Sequence, residues 1–206
     1  MLEHIPEWLG ASLRGVRAGA EHLTIVNSAL GNGYAPITLS SPAFGDWTEM
    51  PLRFTADGAG MSPPLVWDAV PAGTQSLALI VEDADSPTPA PLVHAILWGM
   101  AADTGRIPEG DIAADGATGE VGRNSYLAQG WLAPDPPSGH GEHRYVFQLF
   151  ALDVTAEDLG DAPGRGAVLN AMQGHVIGAG MLTGLYSRGE VVDAPVVDSG
   201  IAPLPA

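Results

Sequence analysis

The sequence predicts a mainly β protein, and three of its features indicate this class. Its 206 residues include 27 glycines and 18 prolines, which are spread along the chain and mark many turns between short elements. Apolar runs of strand length separate these turns, at residues 76–81 and 92–98 and at His143–Leu152. Apolar residues make up 46% of the chain and charged residues 16%, a balance typical of one globular domain with a full core.

Charge and cysteine content narrow the function classes. The formal net charge is −16, with only 8 basic residues, so phosphodiester backbones and anionic lipid surfaces should repel the chain, and we expect no nucleic-acid partner. The absence of cysteine excludes disulfides and thiolate chemistry and permits a reducing compartment. No segment approaches the roughly 20 apolar residues of a membrane-spanning helix, and Glu3 stands where a signal peptide has basic residues. We therefore expect a cytoplasmic protein without integral membrane association.

Residues 1–30 are predicted to form an amphipathic helix and a linker. Four apolar residues recur at helical spacing after Pro6. These are Trp8, Leu9, Leu13 and Val16. We expect this face to be buried on the core of its own domain or against a second copy of the chain, which would make a homodimer. At the other end, residues 191–206 are predicted to be a loosely ordered tail.

An acidic turn follows the first apolar run and precedes an apolar strand that contains one histidine. Under strict alternation along that strand, His94 shares a face with Ile96 and Trp98. A buried histidine needs a hydrogen-bonding partner. In the sequence, the nearest candidates for this partner are Asp83 and Asp85 of the turn.

A proline loop leads into the third apolar run. Three prolines and a glycine preclude a regular element there: Pro134, Pro136, Pro137 and Gly139. In the strand that follows, alternation places His143 and Tyr145 on one face. An imidazole and a phenol beside a rigid loop are typical of a binding site.

Three later elements complete the pattern. Residues 153–158 are predicted to start a helical turn, residues 165–173 to form a helix, and residues 181–188 to form a final strand. A glycine-rich segment, residues 107–122, lacks the glycine order and the Lys-Ser or Lys-Thr pair of a nucleotide-phosphate loop.

Two sequence blocks make the chain resemble the phosphatidylethanolamine-binding protein family, and more closely its bacterial branch, often labelled Raf kinase inhibitor-like. The first block is the turn at residues 83–87, DADSP, followed by His94. The second is WLAPDPPSGHGEHRYVF at residues 131–147, close to the family pattern YxGPxPPxGxGxHRYxF. The resemblance implies a large antiparallel β-sheet with a smaller sheet and a few peripheral helices, in a domain over residues 31–190.

The resemblance also implies a small pocket that binds phosphate or a phosphorylated headgroup, in a protein that modulates a partner rather than an enzyme. Tyr145 and a protonated His94 or His143 would donate to a phosphoryl oxygen, and Asp83 would hold a histidine tautomer. No cofactor is expected. The implied ligand-binding residues are Asp83, Asp85, Pro87, His94, Asp135, Pro136, Pro137, His143 and Tyr145.

One departure from the family pattern and one alternative function bear on this expectation. Asp135 stands at a position that is usually uncharged, where a carboxylate would oppose an anion by about 1 kcal/mol at ~4 Å in water. The alternative is a metal-dependent hydrolase that uses the same Asp and His side chains, although their spacing matches no compact metal motif. A serine hydrolase is not indicated, because the sequence has no Gly-x-Ser-x-Gly elbow.

Overall fold

The computed structural model describes residues 7–188 and confirms the predicted mainly β class, with 31% strand and 14% helix. The strands are β1 (Ala35–Pro36), β2 (Thr38–Ser40), β3 (Thr48–Glu49), β4 (Leu65–Asp68), β5 (Ser76–Asp83), β6 (Leu92–Ala101), β7 (Arg106–Ile107), β8 (Glu120–Val121), β9 (His143–Leu152) and β10 (Val176–Tyr186). The α-helices are α1 (Glu7–Ser12) and α2 (Arg165–Met172). Short 3-10 helices span Ala20–His22, Thr24–Val26, Ser28–Leu30 and Leu52–Phe54.

Two sheets form the framework, as the resemblance implied. The large sheet has the strand order β1-β10-β9-β5-β6-β8, and β3 also pairs with β10. Its central pairs, β10 with β9, β9 with β5 and β5 with β6, are antiparallel, whereas β1 and β3 run parallel to β10. The small sheet has the antiparallel order β2-β4-β7. The three predicted apolar strands thus lie side by side as β9, β5 and β6 in one sheet.

Both faces of the large sheet are covered, which explains why β5 is buried over its whole length. On the front face, Val81 and Phe147 pack in one cluster with Trp67 of the small sheet. On the back face, Ile80 packs in a second cluster with Met172 of α2. A strand buried on both sides reads as a continuous apolar run, and β5 shows that pattern.

A β-bulge in β6 changes the direction of His94. Val81 pairs with Ala95 and Glu82 pairs with Val93, so that His94 is an extra residue in the ladder. The prediction that His94 shares a face with Ile96 and Trp98 is therefore wrong. Those two side chains lie in the back cluster, whereas the His94 ring lies on the front side, with its centroid 5.0 Å from that of Tyr145.

The N-terminal helix is shorter than predicted and docks by a different face. Gly10 is buried against the end of the proline loop, where an added Cβ would lie 2.1 Å from the backbone oxygen of Ser138. Trp8 is 71% exposed, so the expected burial of Trp8 on its own domain is wrong. Leu9 and Leu13 are half-buried. Burial against a second copy stays a prediction, and the predicted tail at residues 191–206 lies outside the described residues.

The chain beyond α1 closes over the back of the large sheet. Thr24 donates its backbone N–H and its hydroxyl to the buried carboxylate of Glu82, at 2.7 and 3.1 Å. Gln148 and Arg165 also donate to Glu82, at 2.8 and 2.5 Å. The segment around Thr24 is therefore tied to the sheet by a buried polar network. No helix between residues 7 and 188 is long and apolar enough to cross a membrane.

The late elements agree with the sequence in part. The predicted helix 165–173 is found as α2, and the final strand is β10, which begins five residues earlier than predicted and ends at Tyr186. The helical turn predicted over residues 153–158 is wrong, because the structure has no helix in that segment. Its carbonyl groups serve tertiary contacts instead: Val154 accepts from Ser76 at 2.7 Å, and Glu157 accepts from the indole N–H of Trp98 at 2.9 Å.

Candidate functional site

A cavity of about 250 Å³ opens at the end of the large sheet where β5 ends and β6 and β9 begin. The antiparallel order brings these three strand ends together, so that residues far apart in sequence meet there. Eight of the nine implied ligand-binding residues line the cavity: Asp83, Pro87, His94, Asp135, Pro136, Pro137, His143 and Tyr145. Asp85 does not line it.

A chain of hydrogen bonds runs from the cavity into the protein. Asp83 Oδ2 lies 2.8 Å from Nδ1 of His143, and Nε2 of His143 lies 2.6 Å from Nδ1 of His140. Nε2 of His140 in turn lies 2.8 Å from the backbone oxygen of Leu13 and 3.2 Å from that of Val16. The other oxygen of Asp83 accepts the backbone N–H of Asp85 at 2.8 Å. We call Asp83, His143 and His140 the relay.

Proton counting shows that the relay is electrically neutral. A carbonyl oxygen only accepts, so Nε2 of His140 carries a proton, and each of the two further hydrogen bonds contains one more. Three protons on two imidazoles and one carboxylate leave no net charge. Burial, followed by the nearby His143, lowers the pKa of His140, which favours the neutral form of that ring. Asp83 contacts Nδ1 of His143, and both nitrogens of His143 are engaged in hydrogen bonds.

His94 does not have the partner that the sequence suggested. Its Nδ1 lies 2.6 Å from the backbone oxygen of Leu132, so the expected hydrogen bond to Asp83 or Asp85 is wrong. The bulge explains the difference, because it turns the ring toward the loop 124–137 rather than along the acidic turn. Burial lowers the pKa of His94, and this effect outweighs the opposing field of Asp83.

Two buried polar atoms of the cavity-lining residues have no hydrogen-bonding partner among residues 7–188. They are Nε2 of His94 and Oη of Tyr145. Desolvation, reinforced by the charge of Asp83, raises the pKa of Tyr145 well above its usual value, so its hydroxyl keeps its proton. Buried polar groups almost always have hydrogen-bonding partners, so two groups without partners at one cavity mark a place where a ligand can bind.

Asp85 supports the site from behind. Its side chain is 2% exposed and accepts from Arg144 at 2.7 and 2.8 Å and from the backbone N–H of the same residue at 2.9 Å. Arg17 lies 2.8 Å away as a second cation. Burial acts to raise the pKa of Asp85, but the hydrogen bonds from Arg144 and Arg17 outweigh it and hold that pKa at about 2. Asp85 thus anchors the acidic turn to β9 and to the N-terminal segment.

Asp135 lines the cavity, yet its charge is compensated. Its carboxylate forms an ion pair with Arg188, and Arg188 also donates to Asp57 at 2.7 Å. Tyr186 donates its hydroxyl to the same Asp57. The sequence suggested an uncompensated carboxylate that opposes an anion. The structure instead contains a partly buried charge cluster with the guanidinium of Arg188 between two carboxylates.

Sequence reasoning missed several residues of the site. His140 was not singled out, although it lies three residues before His143 in a glycine-flanked loop that brings the two rings within 4.8 Å. Arg188 was not predicted as a site residue, and its contact with Asp135 spans 53 positions. Other cavity-lining residues that were not predicted are Ala56, Ser86, Leu92, Tyr126, Leu132 and Ala133. No local pattern marks these, because the fold alone brings them together.

The metal alternative gains no support from this geometry. Between residues 7 and 188, no three His, Asp or Glu side chains are placed to hold a metal ion. Asp83, His143 and His140 instead use their polar atoms on one another and on the backbone.

The fold and the site define a class: a two-sheet protein with a small cavity at one sheet end, apolar in its walls and polar at Asp83, His94 and Tyr145. A comparison with protein families matches residues 40–187 to the phosphatidylethanolamine-binding proteins. The chain belongs to this family, as the two sequence blocks predicted, and groups with its bacterial branch.

Individual relatives agree with this assignment. A "UPF0098 protein" of Methanothermobacter thermautotrophicus is 39% identical over 163 residues, which cover 74% of this chain and 100% of the relative. The crystal structure of a putative phosphatidylethanolamine-binding protein homologue, CT736 of Chlamydia trachomatis, is similar with a TM-score of 0.68 at 32% identity and covers 76% of this chain and 99% of that one. Escherichia coli YbcL, described as a member of the mammalian family, has a TM-score of 0.69 at 24% identity over 73% of this chain and 98% of YbcL, which shows the shared fold.

Proposed function

We propose that this protein binds a small ligand bearing an oxyanion, phosphate or a phosphorylated headgroup, in the cavity at the end of β5, β6 and β9. One observation carries the proposal: the buried Nε2 of His94 and Oη of Tyr145 lack partners in the part of the chain that the structure describes, and both residues line the cavity. Leaving such groups unpaired costs about 1–3 kcal/mol each. A phosphate group, whose oxygen atoms lie close together and can carry a proton, would form hydrogen bonds with both groups.

The cavity walls favour a compact ligand. Pro87, Pro136 and Pro137 border the polar end of the cavity. Proline rings hold their backbone in one conformation, so that little ordering entropy would be lost on binding. A volume of about 250 Å³ suits a phosphate with a short substituent.

The charge cluster beside the cavity is compatible with an anion. Arg188 compensates Asp135, and the relay is neutral, so the ligand would not meet an isolated negative charge at either position. The name of the family refers to a phosphorylated lipid headgroup, and the proposal applies that chemistry to this chain.

Removing the Tyr145 hydroxyl tests the proposal. In Tyr145→Phe we expect the affinity for inorganic phosphate, measured by titration calorimetry, to fall by about tenfold or more, because a hydrogen bond to a charged group is lost. The melting temperature should not fall, since the hydroxyl has no partner in the protein. Tyr34→Phe is the matched control: it removes a hydroxyl that donates to Gly31 at the surface and should leave binding unchanged. Equal phosphate affinity in the parent and Tyr145→Phe, or no phosphate binding by the parent, would contradict the proposal.

A further inference from the structure

The backbone oxygen of Leu132 determines which nitrogen of His94 carries the proton. That oxygen lies 2.6 Å from Nδ1 and can only accept, so Nδ1 bears the hydrogen. In the neutral ring, Nε2 then has a lone pair and is itself an acceptor. Burial favours the neutral ring by lowering the pKa of His94. The unpartnered atom of His94 is thus an acceptor that needs a donor from the ligand.

The groups around His94 do not supply that donor. Asp83 of β5 is an acceptor engaged with His143, and both nitrogens of His143 on β9 are used within the relay. Asp135 of the proline loop is also an acceptor and is paired with Arg188. On β9, the hydroxyl of Tyr145 keeps its proton, but no hydrogen bond joins it to Nε2 of His94.

The last group is Tyr126, from the loop before the prolines. Burial, together with the charge of Asp135, raises the pKa of Tyr126, so this phenol also stays neutral. Both tyrosines can donate to an anionic oxygen, whereas the lone pair on Nε2 of His94 favours a ligand that brings its own proton.

We propose that the cavity selects an oxyacid that still carries a proton, a phosphate monoester in its monoanionic form, over oxyanions without one. The P–OH group donates to Nε2 of His94, and a second oxygen of the same phosphate accepts the Tyr145 hydroxyl. This inference rests on the proposed function and specifies its ligand class. Phosphodiesters and sulfate esters have no such proton, so they would place an oxygen lone pair against the lone pair of His94.

A preference for a protonated phosphate distinguishes two possible ligands, a phospholipid and a soluble phosphorylated molecule. The phosphate of an intact phospholipid is a diester, whereas a phosphorylated small metabolite and inorganic phosphate carry an ionisable P–OH. The structure therefore favours a soluble phosphomonoester over a lipid in a bilayer. The net charge of −16, which opposes approach to anionic membranes, points the same way.

A panel of three small probes on the unmodified protein tests the inference. Methyl phosphate, dimethyl phosphate and methyl sulfate are similar in size and, as monoanions, equal in charge, but only methyl phosphate has a proton to donate. At pH 6, about half of the methyl phosphate is monoanion, since the second pKa of a phosphate monoester is about 6. By titration calorimetry we expect methyl phosphate to bind at least about tenfold more tightly than the other two, because an unpaired acceptor discriminates strongly.

Proton linkage gives a second readout. Binding of the monoanion raises the pKa of the ligand, so the affinity is retained below about pH 6 and falls by about tenfold per pH unit above it. Titrations at pH 7.5 in buffers of different ionisation enthalpy should show about one proton taken up per methyl phosphate bound. Dimethyl phosphate has no ionisable proton in this pH range, so its binding should not be coupled to proton uptake by the ligand.

Two variants locate the effect at His94. In His94→Gln the side-chain amide can present its N–H to an oxygen, so methyl sulfate should bind to within about threefold of methyl phosphate. Tyr145→Phe should weaken all three probes alike and keep the preference. If His94→Gln does not fold, the comparison of the three ligands on the parent protein still tests the inference.

The outcomes separate the two proposals. If dimethyl phosphate or methyl sulfate binds the parent to within about threefold of methyl phosphate, the inference is overturned and oxyanion binding stands. The same holds if methyl phosphate binds at pH 7.5 without proton uptake. If neither the three probes nor inorganic phosphate binds, the proposed function fails.

Discussion

Two aspartates of the acidic turn have different surroundings although a single residue separates them. Asp83 lines the cavity and contacts His143, whereas Asp85 points to Arg144 and Arg17. From the sequence motif alone, both aspartates were expected to bind the ligand. In the structure one belongs to the cavity and the other to the scaffold that holds the turn.

We predict that Asp85→Asn lowers the free energy of unfolding at pH 7 by about 2 kcal/mol. The pKa of Asp85 falls from 3.8 to about 2 on folding, and each pKa unit corresponds to about 1.4 kcal/mol. Because the folded pKa is the lower one, this contribution is present above pH 3.8 and is lost as the pH falls through about 2. The parent and the variant should therefore converge in stability between pH 5 and pH 2, as measured by urea denaturation.

The exposed Asp115 provides the control for this prediction. Asp115→Asn removes one charge without removing an ion pair described in the structure, and its stability should stay within about 0.5 kcal/mol of the parent. A stability gap between parent and Asp85→Asn that is the same at pH 7 and pH 2 would show that the carboxylate charge is not the cause.

For single residues, the sequence predicted which face of a strand a side chain occupies better than it predicted the side chain's partners. Strand alternation correctly placed His143 and Tyr145 on one face, because β9 is regular over that stretch. The same rule failed for His94, because one extra residue in β6 reverses the alternation and no local residue pattern marks the bulge. The pairing of Asp135 with Arg188 needs the complete fold and has no local signature.

At the scale of elements, the N-terminal segment is a support for the site. Arg14 donates to the backbone oxygen of Gly139 at 2.6 Å, and Arg17 donates to that of Glu142 at 2.9 Å. The carbonyls of Leu13 and Val16 accept from the last ring of the relay. The segment therefore connects the acidic turn with the loop that carries His140.

We predict that Gly10→Ala destabilises the protein by about 1–3 kcal/mol, although alanine is the better helix former. The added Cβ would lie 2.1 Å from the backbone oxygen of Ser138, so α1 would have to move away from the loop. Thermal melting measures the effect. Gly15→Ala is the matched control, because nothing lies within 4 Å of its added Cβ, and we expect it to be neutral or slightly stabilising.

The two glycine variants also test the interpretation of the segment. If Gly10→Ala melts at the same temperature as Gly15→Ala, α1 does not contribute to stability through this contact. The sequence predicted the helix but not its docking face, because the periodicity of apolar residues drew attention to Trp8. Close approach of α1 to the loop requires the absence of a side chain, which hydrophobic patterning does not detect.

At the scale of the molecule, the fold class was the most predictable property. Apolar runs between turns identified the three central strands, and the two family blocks implied the two-sheet arrangement, which the structure shows. The parallel pairing of β1 and β3 with β10 was not predicted, since each of these strands has only two residues. Long strands contain enough apolar residues in a recognisable pattern to be predicted from the sequence. Two-residue edge strands form only because a longer strand lies beside them.

The acidic balance of the whole chain leads to a prediction about salt. The sequence has 24 acidic and 8 basic residues, and most of the arginines already form ion pairs. The paired arginines are Arg17, Arg53, Arg144, Arg165 and Arg188. The remaining acidic groups repel one another in the compact state, and this repulsion lowers the stability at neutral pH.

We predict that raising NaCl from about 0.01 M to about 0.15 M increases the melting temperature at pH 7. The Debye length falls from about 30 Å to about 8 Å over this range, so that repulsion between distant surface carboxylates is screened, while close buried pairs such as Asp85 with Arg144 are affected much less. Near the sequence pI of 4.4 the net charge approaches zero, and the salt effect should nearly vanish. Calorimetric melts at both pH values and both salt concentrations make the comparison. A melting temperature that falls with salt at pH 7 would mean that surface ion pairs, and not the acidic excess, dominate the electrostatic free energy of this fold.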